Sequence, residues 1–136
     1  MGAGDRLRKA DRARLARAVE RVEAETGLQV CVYLGPGDGE SRQHAEQLFQ
    51  AAGAHTRPAV MLYVAPAVRR VECVVAQQIS DRVSDAVAQE VIEAMVPLLA
   101  VGDLVGGLEV GLQRIAAAAG PARGDEPGES LPDILG

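Results

Sequence analysis

Apolar residues fall into a few short runs between polar and glycine-rich stretches, and one of these runs anchors the rest. Residues Ala59 to Ala65, AVMLYVA, are apolar at both alternating sets of positions. A strand covered on one side alternates apolar with polar, so this run predicts a strand buried on both faces, with helices above and below. Pro66 follows at a tight turn, where its fixed φ is already suitable. Arg70 to Ala76 then returns as another strand, with Val71, Cys73 and Val75 facing opposite to Arg70, Glu72 and Val74. That mixed character predicts a place near a sheet edge. Leu28 to Leu34, LQVCVYL, is largely apolar on both sides and predicts a further, internal strand.

The remaining runs have helical spacing. From Asp5 to Thr26, Leu7, Leu15, Ala18, Val19 and Val22 form one stripe, and Gly27 ends the helix. Ser41 to about Gly53 places Ala45, Leu48, Phe49 and Ala52 on one side, with Ser41 predicted as the N-cap. This helix would cross between two parallel strands in a right-handed βαβ unit. Ser84 or Asp85 opens a helix through Val87, Val91, Met95, Leu98 and Leu99, with Pro97 expected to kink its last turn. Gly102 closes it, and Asp103 caps a last helix lined by Leu104, Leu108, Leu112 and Ile115. Gly106, Gly107 and Gly111 each cost a helix about 1 kcal/mol against Ala, which predicts close approach to a neighbouring element. The fold class is α/β: a small mixed β-sheet, made of a β-α-β unit plus an antiparallel hairpin, covered by helices on both faces. Residues 1–119 form a single domain. Residues 120–136 are expected to be a flexible acidic Gly/Pro-rich tail whose Leu131, Ile134 and Leu135 are able to dock weakly.

Composition narrows the function classes. A chain of 136 residues makes one domain that buries roughly two-thirds of its unfolded surface. It is 48% hydrophobic but only 2% aromatic, so the core is aliphatic and there are almost no platforms for stacking bases. A net charge of -5 argues against a general nucleic-acid or anionic-membrane surface, so no nucleic-acid partner and no membrane insertion are expected. No run approaches ~20 apolar residues, and the expected location is cytoplasmic, unless the chain is a domain of something longer. Half of the basic residues lie on the first helix, at Arg6, Arg8, Lys9, Arg12, Arg14, Arg17 and Arg21. They read as a solvated charged face, or as a basic strip toward phosphate.

No catalytic constellation stands out, and no cofactor is expected. Cys31 and Cys73 lie in predicted strands and read as buried small hydrophobes, a disulfide between neighbouring strands being the other reading. The loop Gly35-Pro36-Gly37-Asp38-Gly39-Glu40 precedes a helix, yet it matches neither phosphate-binding glycine pattern, and its acids would repel phosphate. Asp38 and Glu40 are candidate cation ligands there. His44 and His55 read as surface histidines.

The succession ERVEAETGLQVCVYLG, AEQLFQAAG, PAVMLYVAPAVRRVECVVA and SDAVAQEVIEAMVPLLAVGDLVGGLEVGLQRI resembles the TPM domain family, from about Ala18 to Ala119. Its most specific parts are Glu23–Gly27, Val64-Ala65-Pro66 with Arg69-Arg70, and Met95-Val96-Pro97-Leu98-Leu99 with Gly102-Asp103. The chain looks most similar to a short soluble actinobacterial branch of unknown function, and its use of Arg over the lone Lys9 fits that source. The resemblance implies one of three roles: phosphomonoester hydrolysis, calcium binding, or accessory work on larger assemblies. Asp85 matches the family's acidic position at a helix start, with Asp81 near it, and both are candidate metal ligands. For Asp85, helix capping is the alternative reading. Gln77-Gln78 stands where the family carries Gly-x-Gly, and His55-Thr56-Arg57 where it carries a Gly/Asp-rich stretch. The leading expectation is therefore a non-catalytic interaction or accessory module with a protein partner. A homodimer through the basic helix or the third strand's edge is a further expectation.

Overall fold

The run from Ala59 to Ala65 is buried at every position and forms the middle of a three-stranded sheet. A computed structural model describes residues 7–122. Its elements are α1 (Lys9–Thr26), β1 (Gln29–Leu34), α2 (Ser41–Ala51), β2 (Ala59–Ala65), β3 (Arg70–Val75), α3 (Asp85–Ala100) and α4 (Leu104–Ala119). The order is β1-β2-β3, with β1 parallel and β3 antiparallel to β2. Thus β1-α2-β2 is the expected βαβ unit, and β2-β3 the expected hairpin. Pro66 to Val68 forms a 3-10 turn, and Arg69 closes it in the left-handed region at φ 54.

The register sorts the side chains onto two faces. Val60, Leu62 and Val64 share one with Val30, Val32 and Leu34 of β1 and Val71, Cys73 and Val75 of β3. That face meets α1, α3 and α4. Met61 and Tyr63 share the other with Cys31 and Tyr33, and α2 covers it through His44, Ala45 and Phe49. Helices therefore lie on both faces, as the doubly apolar β2 requires.

Four expectations need correction. β1 is an edge strand with every residue half-buried, where the sequence predicts an internal one. Its pattern is apolar on both faces, but pattern does not report whether a neighbouring strand exists on each side. Leu28 is buried just ahead of the strand, which starts at Gln29. α1 begins at Lys9, with Leu7 and Arg8 outside the helix and Asp5 outside the described residues. Cys73 is buried as read, whereas Cys31 is only half-buried; they lie on β1 and β3, which β2 separates by two strand spacings, about 9–10 Å, too far for the disulfide that was the other reading. Both are free thiols, and burial pushes the Cys73 thiol up to about 12.

Both sheet edges are blocked by charged side chains. The Val30 N–H donates to Glu23 Oε2 at 2.9 Å, and Arg42 donates to the Cys73 carbonyl at 2.9 Å. A charge placed on an edge strand opposes pairing with a second sheet. Away from the sheet, α3 and α4 pack most closely. A Cβ at Gly107 would stand 2.6 Å from Leu99 Cδ2, and one at Gly111 2.6 Å from Met95 Sδ, so these glycines mark the predicted close approach. Gly102 turns the chain at φ 83, and Asp103 caps α4 by accepting the Gly106 N–H.

The ends of α1 and α4 meet at one buried cation that sequence reading passes over. Arg82 is 5% exposed. Its Nε donates to the Ala119 carbonyl at 3.1 Å and its Nη2 to that of Thr26 at 2.8 Å, with Gly120 and Pro121 also in reach. Carbonyls left over at helix C-termini carry partial negative charge and lack intrahelical donors. One guanidinium satisfies two such ends at once. Residues 120–122 pack here too, the Ala122 N–H donating to the Glu25 carbonyl. The expected mobile tail otherwise lies outside the described residues.

Candidate functional site

The two pairs of candidate acids stand at opposite ends of the sheet. The 35–40 loop leaves the C-terminal end of β1, beside the β2–β3 turn. The 77–84 segment follows β3, whose C-terminal Val75 pairs with Val60 near the start of β2. Asp38 and Glu40 therefore do not converge with Asp81 and Asp85. Glu40, rather than Ser41, is the N-cap of α2, accepting from the Arg42 and Gln43 N–H groups at 3.1 and 2.9 Å. These bonds hold its carboxyl below the usual glutamate range. The cap is therefore complete at neutral pH and is lost as pH falls through that lowered value. Asp81 is exposed in the turn after β3, and Asp85 is exposed in the first turn of α3, where Ser84 supplies the cap to the Val87 N–H. Among the described residues, no three His, Cys, Asp or Glu side chains come together in a way that could hold a metal ion.

Under the 35–40 loop, α2 and the sheet assemble a polar knot. Tyr33 and Tyr63 stack at 5.1 Å, and His44 stands edge-on to both. His44 Nδ1 lies 2.7 Å from the Tyr63 hydroxyl, so His44 is not the free surface histidine its sequence suggests; His55 is exposed as expected. Burial raises the Tyr63 phenol, with Tyr33, Glu72 and Asp38 adding to the effect. Tyr63 thus stays protonated and donates whenever His44 carries its proton on Nε2. Beside it, Ser41 Oγ donates to Glu72 Oε2 at 2.7 Å, and Arg42 lies 3.8 Å from the same carboxylate. No spacing rule reveals this pairing, because 31 residues separate Ser41 from Glu72.

On the opposite face at the same end lies an apolar cleft of about 470 Å³. Val64 and Val71 form its floor, Pro66 one wall, and Val96, Leu99 and Leu104 the helical wall. Arg69 and Arg70 stand among the lining residues, and neither guanidinium has a hydrogen-bonded or ion-paired partner among the described residues. Arg69 is the one non-glycine described residue with positive φ. That conformation costs about 1 kcal/mol or more and is held where the surrounding structure enforces it. Of the exposed large aliphatic residues, Val96 at 45% stands on the cleft wall and Val101 at 79% between the lining residues Ala100 and Gly102, while Val68 on the turn lies beside Gly37 of the 35–40 loop. Arg69 and Arg70 border this apolar surface. Sequence reading placed Arg70 on a strand and Met95, Leu98 and Leu99 on a helix, and otherwise named these residues only as points of family likeness.

Comparison with known proteins places the geometry. A model of the TPM domain matches residues 3–118. The BA42 protein of the psychrophilic bacterium Bizionia argentinensis has a similar structure, with TM-score 0.77 and 20% identity over 88% of this chain and 87% of that one. The N-terminal domain of a P. gingivalis protein gives 0.73 and 16% over 85% and 78%, and that of the cg2496 protein from Corynebacterium glutamicum 0.69 and 18% over 89% and 79%. At these identities the likeness is one of fold. No curated protein matches the sequence significantly. No helix among the described residues is long and apolar enough to cross a membrane.

Proposed function

The chain belongs to the TPM domain family, and from that premise we propose that it is a non-catalytic docking module, acting in the cytoplasm, which holds a protein partner in the cleft between the β2–β3 turn and the α3–α4 corner. One observation carries the reading: Val96 and Val101, two exposed large aliphatic residues, stand at this cleft beside Arg69 and Arg70, whose guanidinium groups are neither hydrogen-bonded nor ion-paired within the described residues. Binding there would bury aliphatic surface at roughly 25 cal/mol per Å². The arginines would set orientation and partner choice.

Val96 is exposed, so Val96→Asp leaves the core intact while placing a charge on the cleft wall. The variant is expected to keep the wild-type circular dichroism and melting temperature and to lose the partner recovered by the wild-type chain from native lysate. Equal recovery by both proteins counts against the cleft as the docking site.

Phosphomonoester hydrolysis is the second reading, favoured by the Ser41 hydroxyl bonded to the Glu72 carboxylate beside Arg42 at the start of α2. A chromogenic phosphate ester, assayed from acidic to neutral pH with calcium or magnesium, separates the two readings. Turnover abolished by Ser41→Ala supports hydrolysis, and turnover abolished by Asp81→Ala or Asp85→Ala relocates it. Silence under all conditions removes the reading.

A further inference from the structure

α1 and β1 enclose an apolar groove of about 470 Å³ that shares no lining residue with the docking cleft. Leu15 and Val19 of the helix and Val30, Val32 and Leu34 of the strand are half-buried in it. Arg12, Ala16 and Glu20 line its helical side, and all three are exposed. We propose that this face pairs with a second copy of the chain, whose α1 lies antiparallel to the first with Ala16 against Ala16 on a two-fold axis.

The order of charges on α1 selects this occupant. With about 3.6 residues per turn, Lys9, Arg12, Glu20 and Glu23 all fall within about 40° of Ala16 and form one stripe along the helix. Both cations precede Ala16 and both carboxylates follow it. The helix macrodipole favours the opposite order, so the stripe does not serve α1 by itself. Neither Arg12 nor Glu20 has an ion-pair partner among the described residues, and Arg12 Nε donates only to the Leu7 carbonyl, at 3.4 Å. Arg12 and Glu20 stand at equal distances before and after Ala16, and so do Lys9 and Glu23. A copy turned end for end about Ala16 therefore sets its Glu20 against Arg12 and its Glu23 against Lys9, and the two-fold axis repeats both contacts. A parallel copy would set like charges together. A segment of one sign would be repelled by half of the stripe. The small Ala16 lets the helices approach at the axis, and the copy's helix roofs the groove. Arg17 and Arg21 lie about 100° or more round the helix from Ala16, away from the contact. Glu23 holds the Val30 N–H at 2.9 Å and opposes strand-to-strand pairing at β1, so the helices make the contact. Both docking clefts stay open, and the pair docks bivalently.

The test is the mass of the full chain in solution, by sedimentation equilibrium from about 1 µM to about 1 mM. Wild type should reach the mass of two chains at the upper end, and added salt should lower the paired fraction. Arg12→Glu sets like charges at both symmetric contacts and should give the mass of one chain throughout, as should Glu20→Arg. Both positions are exposed, so each variant should keep the wild-type circular dichroism. Mixing the two variants should restore the two-chain mass, because each contact between them again joins a cation to a carboxylate. Arg12→Glu/Glu20→Arg in one chain should restore it as well. Three results overturn the proposal: a one-chain mass for wild type over the whole range, single variants that pair as wild type does, or folded single variants that stay apart when mixed.

Discussion

Replacing Arg82 with methionine is expected to lower the unfolding free energy by about 3–5 kcal/mol, because each hydrogen bond to a charged donor is worth about 1.5–3 kcal/mol. The Thr26 and Ala119 carbonyls would lose their guanidinium donors inside the protein. Methionine matches the aliphatic stem but leaves these helix ends facing apolar surface, and the desolvation penalty is not recovered. Lysine should restore only part of the loss, since one ammonium on a flexible stem does not reproduce a planar fork that spans two helices. Denaturant unfolding read by circular dichroism checks this. A methionine variant within about 1 kcal/mol of wild type would show that the α1 and α4 ends are held by packing alone.

Gly111→Val is expected to destabilise the fold by about 3 kcal/mol, the upper part of the usual range for overpacking a close-packed core. The added Cβ alone would sit 2.6 Å from Met95 Sδ and 3.1 Å from Leu62 Cδ1, and both of those side chains are fully buried. Neither has room to retreat. Gly107→Ala supplies the contrast. Its Cβ would meet Leu99 Cδ2 at 2.6 Å and Cγ at 2.9 Å, and that side chain is only half-buried, so it has room to turn aside. Relief of the glycine penalty, about 1 kcal/mol in a helix, should then leave Gly107→Ala close to neutral. Melting curves of the two variants decide whether α4 is pressed against Met95 and Leu62 as tightly as the distances indicate.

The sequence disclosed the parts of the fold that depend on local pattern. β2 appears with the bounds its doubly apolar run predicts, and β3 has the half-covered character of its mixed one. Asp103 caps α4 as its spacing predicts, and Gly107 and Gly111 touch neighbours as their cost implies. What stayed hidden depends on partners distant in the chain. β1 reads as internal because both of its faces are apolar, although the sheet ends there. Arg82 sits in a polar turn with nothing to distinguish it from a solvated arginine, since the carbonyls it reaches come from α1 and from the residues at and after the end of α4. His44 finds Tyr63 across 19 positions, a separation that helix or strand periodicity does not encode. Glu40 takes the capping role ahead of Ser41, whose hydroxyl is drawn to Glu72 on β3. The apolar cleft is likewise made where three segments meet, so its residues are unremarkable one by one.

The reading of this TPM domain as a docking module is tested most directly by a photo-crosslinking amino acid placed singly at Val96, at Val101 and, on α2 across the sheet, at Gln47. All three positions are exposed, so the fold tolerates each probe. Irradiation in native lysate should give one and the same adduct from positions 96 and 101 and none from 47, with the adduct lost on Arg69→Glu/Arg70→Glu. Adducts equally abundant from all three positions, or absent from 96 and 101, would contradict it.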